Sequence, residues 1–405
     1  MRADIAPRFH NQPWAVEAKA IIGACVHCGF CTATCPTYVE LRDERDGPRG
    51  RIYLIKAMLE GAAVTEGTRR HLDRCLGCRS CETTCPSGVR YGRLIDIARA
   101  VMETELPRPG RDRLRRWLVR KVLGNSVGLG VLLGLGRVLR PVLPAALARM
   151  VGRHHPPAAW PAGHHRRVVV ALAGCVQKAA SPAINPAAAR VLDRLGLSLI
   201  EVPAAGCCGA LNYHLGAADE GLDQARRNID AWWPLVEAGA EAIVPTASGC
   251  GSFIHDYGEV LADDPVYAAK ARRISDLARD LGEILLGEDL SRLGVDGGGR
   301  RVAVHVPCSQ QHALKLPDAV ETILGRLGFA VGPVADKHLC CGSGGANSVL
   351  EADLGQRLRR RKLEALTVSR PEVIVTANIG CQLHLQGGTE LAVRHWIELL
   401  EEALP

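Results

Sequence analysis

Cys25-Val-His-Cys28-Gly-Phe-Cys31-Thr-Ala-Thr-Cys35-Pro36 is repeated, in spacing and in its closing proline, by Cys75-Leu-Gly-Cys78-Arg-Ser-Cys81-Glu-Thr-Thr-Cys85-Pro86. This C-x2-C-x2-C-x3-C-P run is the pattern that holds a cubane iron–sulfur cluster in two-cluster ferredoxins. Three thiolates at i, i+3 and i+6 on a tight loop can each reach a different iron of one cube, while the proline-terminated turn points the fourth cysteine away. The fourth ligand is therefore expected from the other run. That gives Cys25, Cys28, Cys31 and Cys85 for one [4Fe-4S] cluster, and Cys75, Cys78, Cys81 and Cys35 for a second. A zinc ribbon uses pairs of C-x2-C without the closing cysteine and proline. A disulfide framework needs an oxidising compartment, and nothing ahead of Cys25 has the form of a secretory signal peptide. His27, between two expected ligands, is placed to tune the cofactor by a hydrogen bond.

The runs sit between segments with helical apolar spacing. Ala18-Lys-Ala-Ile-Ile22 and Thr68 to Arg74 lead into them, Arg51 to Glu60 lies between, and Tyr91 to Glu105 follows. Residues 1–105 thus read as a helical, two-cluster ferredoxin-like domain and not as a small β ferredoxin.

A chain of 405 residues is expected to divide into about three compact units. Aromatic residues make up 4 % of it, which leaves no obvious stacking platform for nucleic acid. The net charge of +7 is concentrated: between Pro107 and Arg167 there are thirteen Arg or Lys against one acid, Asp112. Residues 106–166 read as a basic, partly apolar helical linker. Its Leu-rich run from Val127 to Leu147 is broken by Arg137, Arg140, Pro141 and Pro144 and is too short to cross a bilayer. Two roles fit it. One is a peripheral contact with an anionic membrane surface, with Arg115, Arg116, Arg120 and Lys121 facing the headgroups. The other is a pair of helices packed on the protein's own core. Arg153-His154-His155-Pro156-Pro157 and His164-His165-Arg166-Arg167 read as solvated linker.

The second half is an internal repeat. Cys175 precedes Cys207-Cys208-Gly209 by the same 32 residues that separate Cys308 from Cys340-Cys341-Gly342, and Cys250 and Cys381 follow at 43 and 41 residues. Each copy opens on an apolar strand, Val168–Ala173 or Val302–Val306. A helix, a short strand and the cysteine pair follow. A long helix comes next, and then a second apolar strand, Ala242–Thr246 or Val373–Thr376. Alternating strands and helices imply parallel βαβ units. Cysteines at the carboxyl ends of such strands converge where open α/β sheets bind ligands. The expected architecture is therefore multidomain, α and α/β. A helical two-cluster domain (1–105) and the linker precede two Rossmann-like Cys-Cys-Gly repeats, 167–295 and 296–405.

These features closely resemble the iron–sulfur subunits of bacterial glycolate oxidase over nearly the whole chain. The resemblance is carried by both cysteine runs, Gly47-Pro48-Arg49-Gly50-Arg51-Ile52, and Cys85-Pro-Ser-Gly-Val-Arg-Tyr-Gly92. It extends to Cys207-Cys208-Gly209, Asn378-Ile-Gly-Cys381-Gln-Leu-His384 and Val393-Arg-His-Trp-Ile-Glu-Leu399. It implies an electron-transfer subunit in a membrane-associated complex. Partner subunits binding FAD would oxidise glycolate to glyoxylate, and this chain would pass the electrons towards quinone or another acceptor. The implied location is cytoplasmic, peripheral on the inner face of the cell membrane. More distant lactate-utilisation, glycerol-3-phosphate dehydrogenase and heterodisulfide reductase subunits share the architecture.

In the heterodisulfide reductase relatives each Cys-Cys-Gly module ends in C-x2-C. Here the ends read Cys250-Gly-Ser-Phe253 and Cys381-Gln-Leu-His384, so each copy lacks one thiolate. The family's His-x-Pro-Cys opening is present as His305-Val306-Pro307-Cys308 but replaced by Leu172-Ala173-Gly174-Cys175 in the first copy. Four thiolates per copy suffice for an additional iron–sulfur cluster or a zinc ion, with His305 or His384 completing or tuning the second site. The alternative is that these cysteines are structural. The chain has no strand-linked G-x-G-x-x-G followed by an acidic residue, so no flavin is expected in it, and glycolate chemistry is assigned to the partners. Other functions considered are the same role for lactate, glycerol 3-phosphate or heterodisulfide chemistry, or a metal-bound docking module.

Overall fold

A computed structural model describes residues 1–144, 148–149 and 159–405 of the chain. The Arg153–Pro157 segment and the end of the Leu-rich run lie outside the described residues.

The N-terminal region is all helical. Pro13, Pro36 and Pro48 each open a helix, at the position where a missing N–H leaves no bond unmade. Pro13–Ala24, Pro48–Leu59 and Glu66–Asp73 pack around the central helix Tyr91–Glu105. Ile22, Ile55, Leu59, Leu72, Leu94 and Met102 form the buried core between them. The first cysteine run enters this bundle from the end of one helix and the second from the end of another, so short helical turns meet at its edge.

Two helices follow, Gly110–Leu123 and Ser126–Val138, bent by 91° about Gly124 and Asn125, whose side chain caps the second. Among the described residues no single helix is long and apolar enough to cross a membrane. Of the four cations expected to face lipid headgroups, Arg116 and Arg120 are largely buried against the protein, whereas Arg115 and Lys121 stay exposed. Arg116 pairs with Asp73 at 2.9 Å, Arg120 and Lys121 pair with Glu220 at 3.3 and 3.0 Å, and Arg115 donates to the carbonyl of Val349 at 2.5 Å. These cations fasten the first helix to the rest of the molecule. Its outward face also carries apolar side chains: Leu114, Trp117 and Leu118 are exposed, as are Val127, Val131, Leu132, Leu135 and Val138 of the next helix. His165 and Arg167 are likewise not free linker. His165 meets Asp193 at 2.8 Å, and Arg167 opens the first strand and pairs with Glu241 and Glu288.

The two repeats form two all-parallel sheets. β1 (Arg167–Ala171) lies between β2 (Leu197–Glu201) and β3 (Ala242–Val244). β4 (Arg301–His305) lies between β5 (Ala330–Gly332) and β6 (Val373–Thr376), with β7 (Val393–His395) beyond β6. In the first copy the counterpart of β7 is reduced to a single bridge between Ile243 and Ala278.

The copies are not separately packed. The last helix of each crosses to the other: Trp396–Glu402 packs on Ile184–Arg194, and Leu281–Leu286 packs on Ala319–Arg326. One continuous core joins Val169, Leu192 and Val244 to Val304, Ile323, Trp396 and Leu400. Each fully buried aliphatic side chain there contributes about 1.5–3 kcal/mol, which makes the exchange of helices a principal bond between the copies.

Candidate metal centres

All sixteen cysteines are free thiols. The structure gathers them at four places. Cys25 ends the helix Pro13–Ala24, and the chain then turns through His27 (φ 57°) and Gly29 (φ 87°) into a helical turn carrying Cys31. These left-handed residues fold the run back on itself, so that Cys25, Cys28 and Cys31 line one hollow. Cys85, at the end of the turn Ser80–Thr84, lines the same hollow, as does Cys81. An adjoining hollow is lined by Cys35, Cys75, Cys78 and Cys81. Burial pushes the Cys31 thiol up to about 11, and Cys81 well above the ordinary thiol range. Ionising such thiols requires a cation in their midst, which is what iron supplies. The donor chemistry fits cubane clusters: four thiols per set and no competing disulfide. His27 lines the outer hollow, and its Nε2 is buried without a hydrogen-bond partner.

In the second repeat, Cys308 lies just beyond β4 and Cys381 beyond β6, while Cys340 and Cys341 follow β5. The Sγ atoms of Cys308 and Cys340 are 3.9 Å apart. A ring nitrogen of His305 and the sulfurs of Cys341 and Cys381 lie within 4.8 Å of one another, all buried. Cys340 is held well below the usual thiol range by the hydrogen bond from Cys308 and then that from Cys341. Cys381 is lowered chiefly by Cys341. His305 Nε2 is buried without a partner. His384 lines the same cavity as Cys308, Cys340 and Cys381. Its Nε2 bonds to the carbonyl of Gly355 at 3.1 Å, tying the helix Ile379–Gln386 to the helix Ala352–Thr367.

The first repeat brings Cys175, Cys207, Cys208 and Cys250 together in the same way, each sulfur hydrogen-bonded to the next. Leu172 stands where the second copy has His305, so this set has thiols only. Four thiols fit a cluster or zinc in either copy, and the second offers a nitrogen donor as well.

Each Cys-Cys-Gly turn is seated by a second glycine that sequence reasoning missed. Gly209 (φ 99°) packs on Gly221, and Gly342 (φ 92°) on Gly355, each in the first turn of the long helix that follows. A Cβ at Gly342 would fall 2.7 Å from the Gly355 carbonyl oxygen. The two copies also meet through their cysteine loops. Ser248 N–H donates to the Ala377 carbonyl at 3.0 Å, and Gly249 N–H to Asn378 Oδ1 at 3.2 Å. Asn378 Nδ2 in turn donates to Cys381 Sγ at 3.4 Å. As a result the whole first set and Cys308, Cys340 and Cys381 of the second, together with Cys78 of the N-terminal domain, line one shared cavity of about 360 Å³.

Around the inner N-terminal set the structure adds polar partners that the cysteine spacing gave no sign of. Tyr91 donates its hydroxyl to Cys75 Sγ at 3.7 Å, Thr37 Oγ1 lies 3.2 Å from Cys35 Sγ, and Arg51 lines the same hollow, fully buried. The signal for Arg51 was present in principle. It stands on the apolar face of a helix, beside Ile52 and Ile55, where an arginine must have a buried partner.

Comparison with known proteins agrees with this division. Residues 21–89 match the model of a 4Fe-4S dicluster domain, and residues 169–255 and 302–386 each match that of a cysteine-rich domain. The N-terminal region is thus a two-cluster iron–sulfur domain. The chain is 52 % identical to the glycolate oxidase iron-sulfur subunit of Escherichia coli K12, over all of this chain and 99 % of that protein. It is 29 % identical to the probable glycolate oxidase iron-sulfur subunit of Bacillus subtilis, over 90 % of the chain. A lactate utilization protein A from Bacillus velezensis is 26 % identical over 50 % of the chain.

Proposed function

The chain belongs to the family of glycolate oxidase iron–sulfur subunits, and we therefore propose that it is the electron-carrying subunit of a complex oxidising glycolate to glyoxylate. Its partners in this role are FAD-binding subunits, and its acceptor is quinone or another carrier. Bound [4Fe-4S] clusters supply one-electron exchange, which a flavin can feed and glycolate cannot.

The observation that carries this role is the order of the thiol sets. Cys28 is the one exposed cysteine of the sixteen, flanked by exposed Val26 and Phe30. The adjoining inner set contains Cys78, which lines the central cavity with Cys308 and Cys340. The sets therefore run from the surface to the middle of the molecule. Around the inner set the protein excludes water and donates hydrogen bonds to sulfur from Tyr91. The surface at Val26 and Phe30 is where a partner subunit comes nearest to the outer set, so the flavoprotein is assigned to that face. The full-length match at 52 % favours glycolate over the lactate of the shorter, more distant relatives.

The exposed apolar faces of Gly110–Leu123 and Ser126–Val138, rimmed by the exposed Arg111 and Arg113, support a peripheral attachment to the cytoplasmic side of the membrane. The deciding experiment is stopped-flow reduction of the anaerobically purified chain by glycolate. Cluster bleaching is expected only with the flavoprotein partner present, and glycolate turnover by the single chain overturns the division of labour.

A further inference from the structure

The segment Gly47-Pro48-Arg49-Gly50-Arg51-Ile52 lies between the two N-terminal thiol sets. Pro48 lines both hollows, Arg49 only the outer one and Arg51 only the inner one. Gly50 locks the segment in place, since a Cβ there would fall 2.0 Å from the carbonyl oxygen of Glu44.

The two arginines differ in charge balance. Arg49 is partly exposed and forms a two-pronged pair with Glu44, both contacts at 2.9 Å. The pair is neutral and open to solvent. Arg51 is 1 % exposed. Its Nε donates to the His71 carbonyl at 2.7 Å and its Nη1 to Thr37 Oγ1 at 3.1 Å, while its Nη2 lies 3.5 Å from Asp46 Oδ1. Asp46 is also taken up by Arg74 at 3.0 Å and by the ring of His71 at 3.0 Å. Asp46 is thus shared between two guanidiniums, and although Arg74 has a second carboxylate in Glu351 at 3.8 Å, the buried Arg99, which donates to the Cys75 carbonyl at 2.6 Å, adds a third cation, so the balance beside the inner set is positive. A guanidinium cannot discharge by losing its proton.

Reduction adds a negative charge to an iron–sulfur cluster. A buried net positive charge favours the reduced form strongly, whereas an exposed neutral pair is screened and nearly silent. We propose that Arg51 is a tuning residue that holds the centre at Cys35, Cys75, Cys78 and Cys81 at a higher reduction potential than the centre at Cys25, Cys28, Cys31 and Cys85. This rests on the assignment of one cubane cluster to each set.

The test is a potentiometric titration of the anaerobically purified full chain, followed by low-temperature paramagnetic resonance, with signals assigned through Cys28→Ser and Cys78→Ser. The inner signal of the wild type is expected to appear at the more positive potential. Arg51→Gln should lower the inner midpoint alone, and Arg51→Lys should restore most of it. Asp46→Asn, which removes the compensating carboxylate, should move the same midpoint upwards. Arg49→Gln should shift the outer midpoint less than Arg51→Gln shifts the inner. Unchanged midpoints in Arg51→Gln with two clusters retained overturn the proposal alone, as does a shift of Asp46→Asn in the same direction. If Arg51→Gln fails to keep its clusters, Arg51→Lys and Asp46→Asn decide. A wild-type chain with fewer than two clusters overturns the cluster assignment and the proposal with it.

Discussion

The buried carboxylate of Asp280 in the first repeat accepts a hydrogen bond from Gln310 Nε2, 2.9 Å away and two residues past Cys308 in the second. The relationship has a partner of opposite sense. His395, which caps the last helix of the second repeat, donates from Nε2 to the carbonyl of Thr246 in the first at 2.8 Å. In each case the residue that caps a crossing helix also grips a loop near the other copy's cysteines. Alignment of the eight repeat thiols and docking of the copies are thus one structural event.

Asp280 makes that grip pH-dependent. Burial raises its carboxyl from the ordinary 3.8 to about 6. The folded state then binds a proton more tightly than the unfolded chain, so this group favours folding below about pH 4 and loses that advantage as pH rises through 6. At neutral pH the deprotonated group costs roughly 3 kcal/mol of stability. Asp280→Asn keeps an acceptor for Gly282 N–H and Gln310. It should raise the urea midpoint at pH 7.5, and by only about a third as much at pH 4.5. Equal effects at both pH values would show that Asp280 is not buried as described.

Gly342→Ala should unseat the second Cys-Cys-Gly turn. The left-handed backbone and the 2.7 Å approach to Gly355 together should cost at least about 2 kcal/mol. Gly345→Ala, also at positive φ but with open space around its Cβ, should cost only about 1 kcal/mol. Metal analysis of the purified variants should show loss from Gly342→Ala and retention in Gly345→Ala. Equal metal content and equal melting points would dissociate the glycine seat from the site.

Cys28→Ser and Cys78→Ser should each abolish a different paramagnetic signal and lower the iron content of the anaerobically isolated protein. Cluster loss should also lower thermal stability, because metal binding and folding are coupled. Cys308→Ser should leave both N-terminal signals in place. A single variant that erases both signals while the fold persists would disprove two independent sets.

Leu114→Asp with Trp117→Asp should reduce sedimentation with anionic liposomes, and added salt should weaken the wild-type binding. Arg116→Glu and Arg120→Glu should act differently. Their partners are Asp73 and Glu220, so reversal should lower the melting temperature before it changes lipid binding. If the apolar substitutions leave sedimentation intact while the arginine reversals abolish it, the attachment is electrostatic and the outward face has another use.

The chemistry and the internal repeat are written in the order of residues alone. Thiol ligands must recur at short fixed spacings on a tight loop, and a duplicated α/β unit must repeat both its apolar strands and its cysteines, so each signal is local and survives without coordinates. Strands β1, β3, β4 and β6 were legible as apolar runs because parallel strands are buried on both faces. The rest is settled by packing between distant segments. β7 has a half-buried arginine at its centre, too polar to stand out, and is a strand because β6 lies beside it. Nothing in the Leu281–Leu286 and Trp396–Glu402 helices says which copy they cover, since an amphipathic face encodes burial and not the identity of its partner. The basic linker shows the same limit. A row of arginines looks alike whether it meets lipid or carboxylates, and Asp73 and Glu220 come to it from elements that are neighbours only in space.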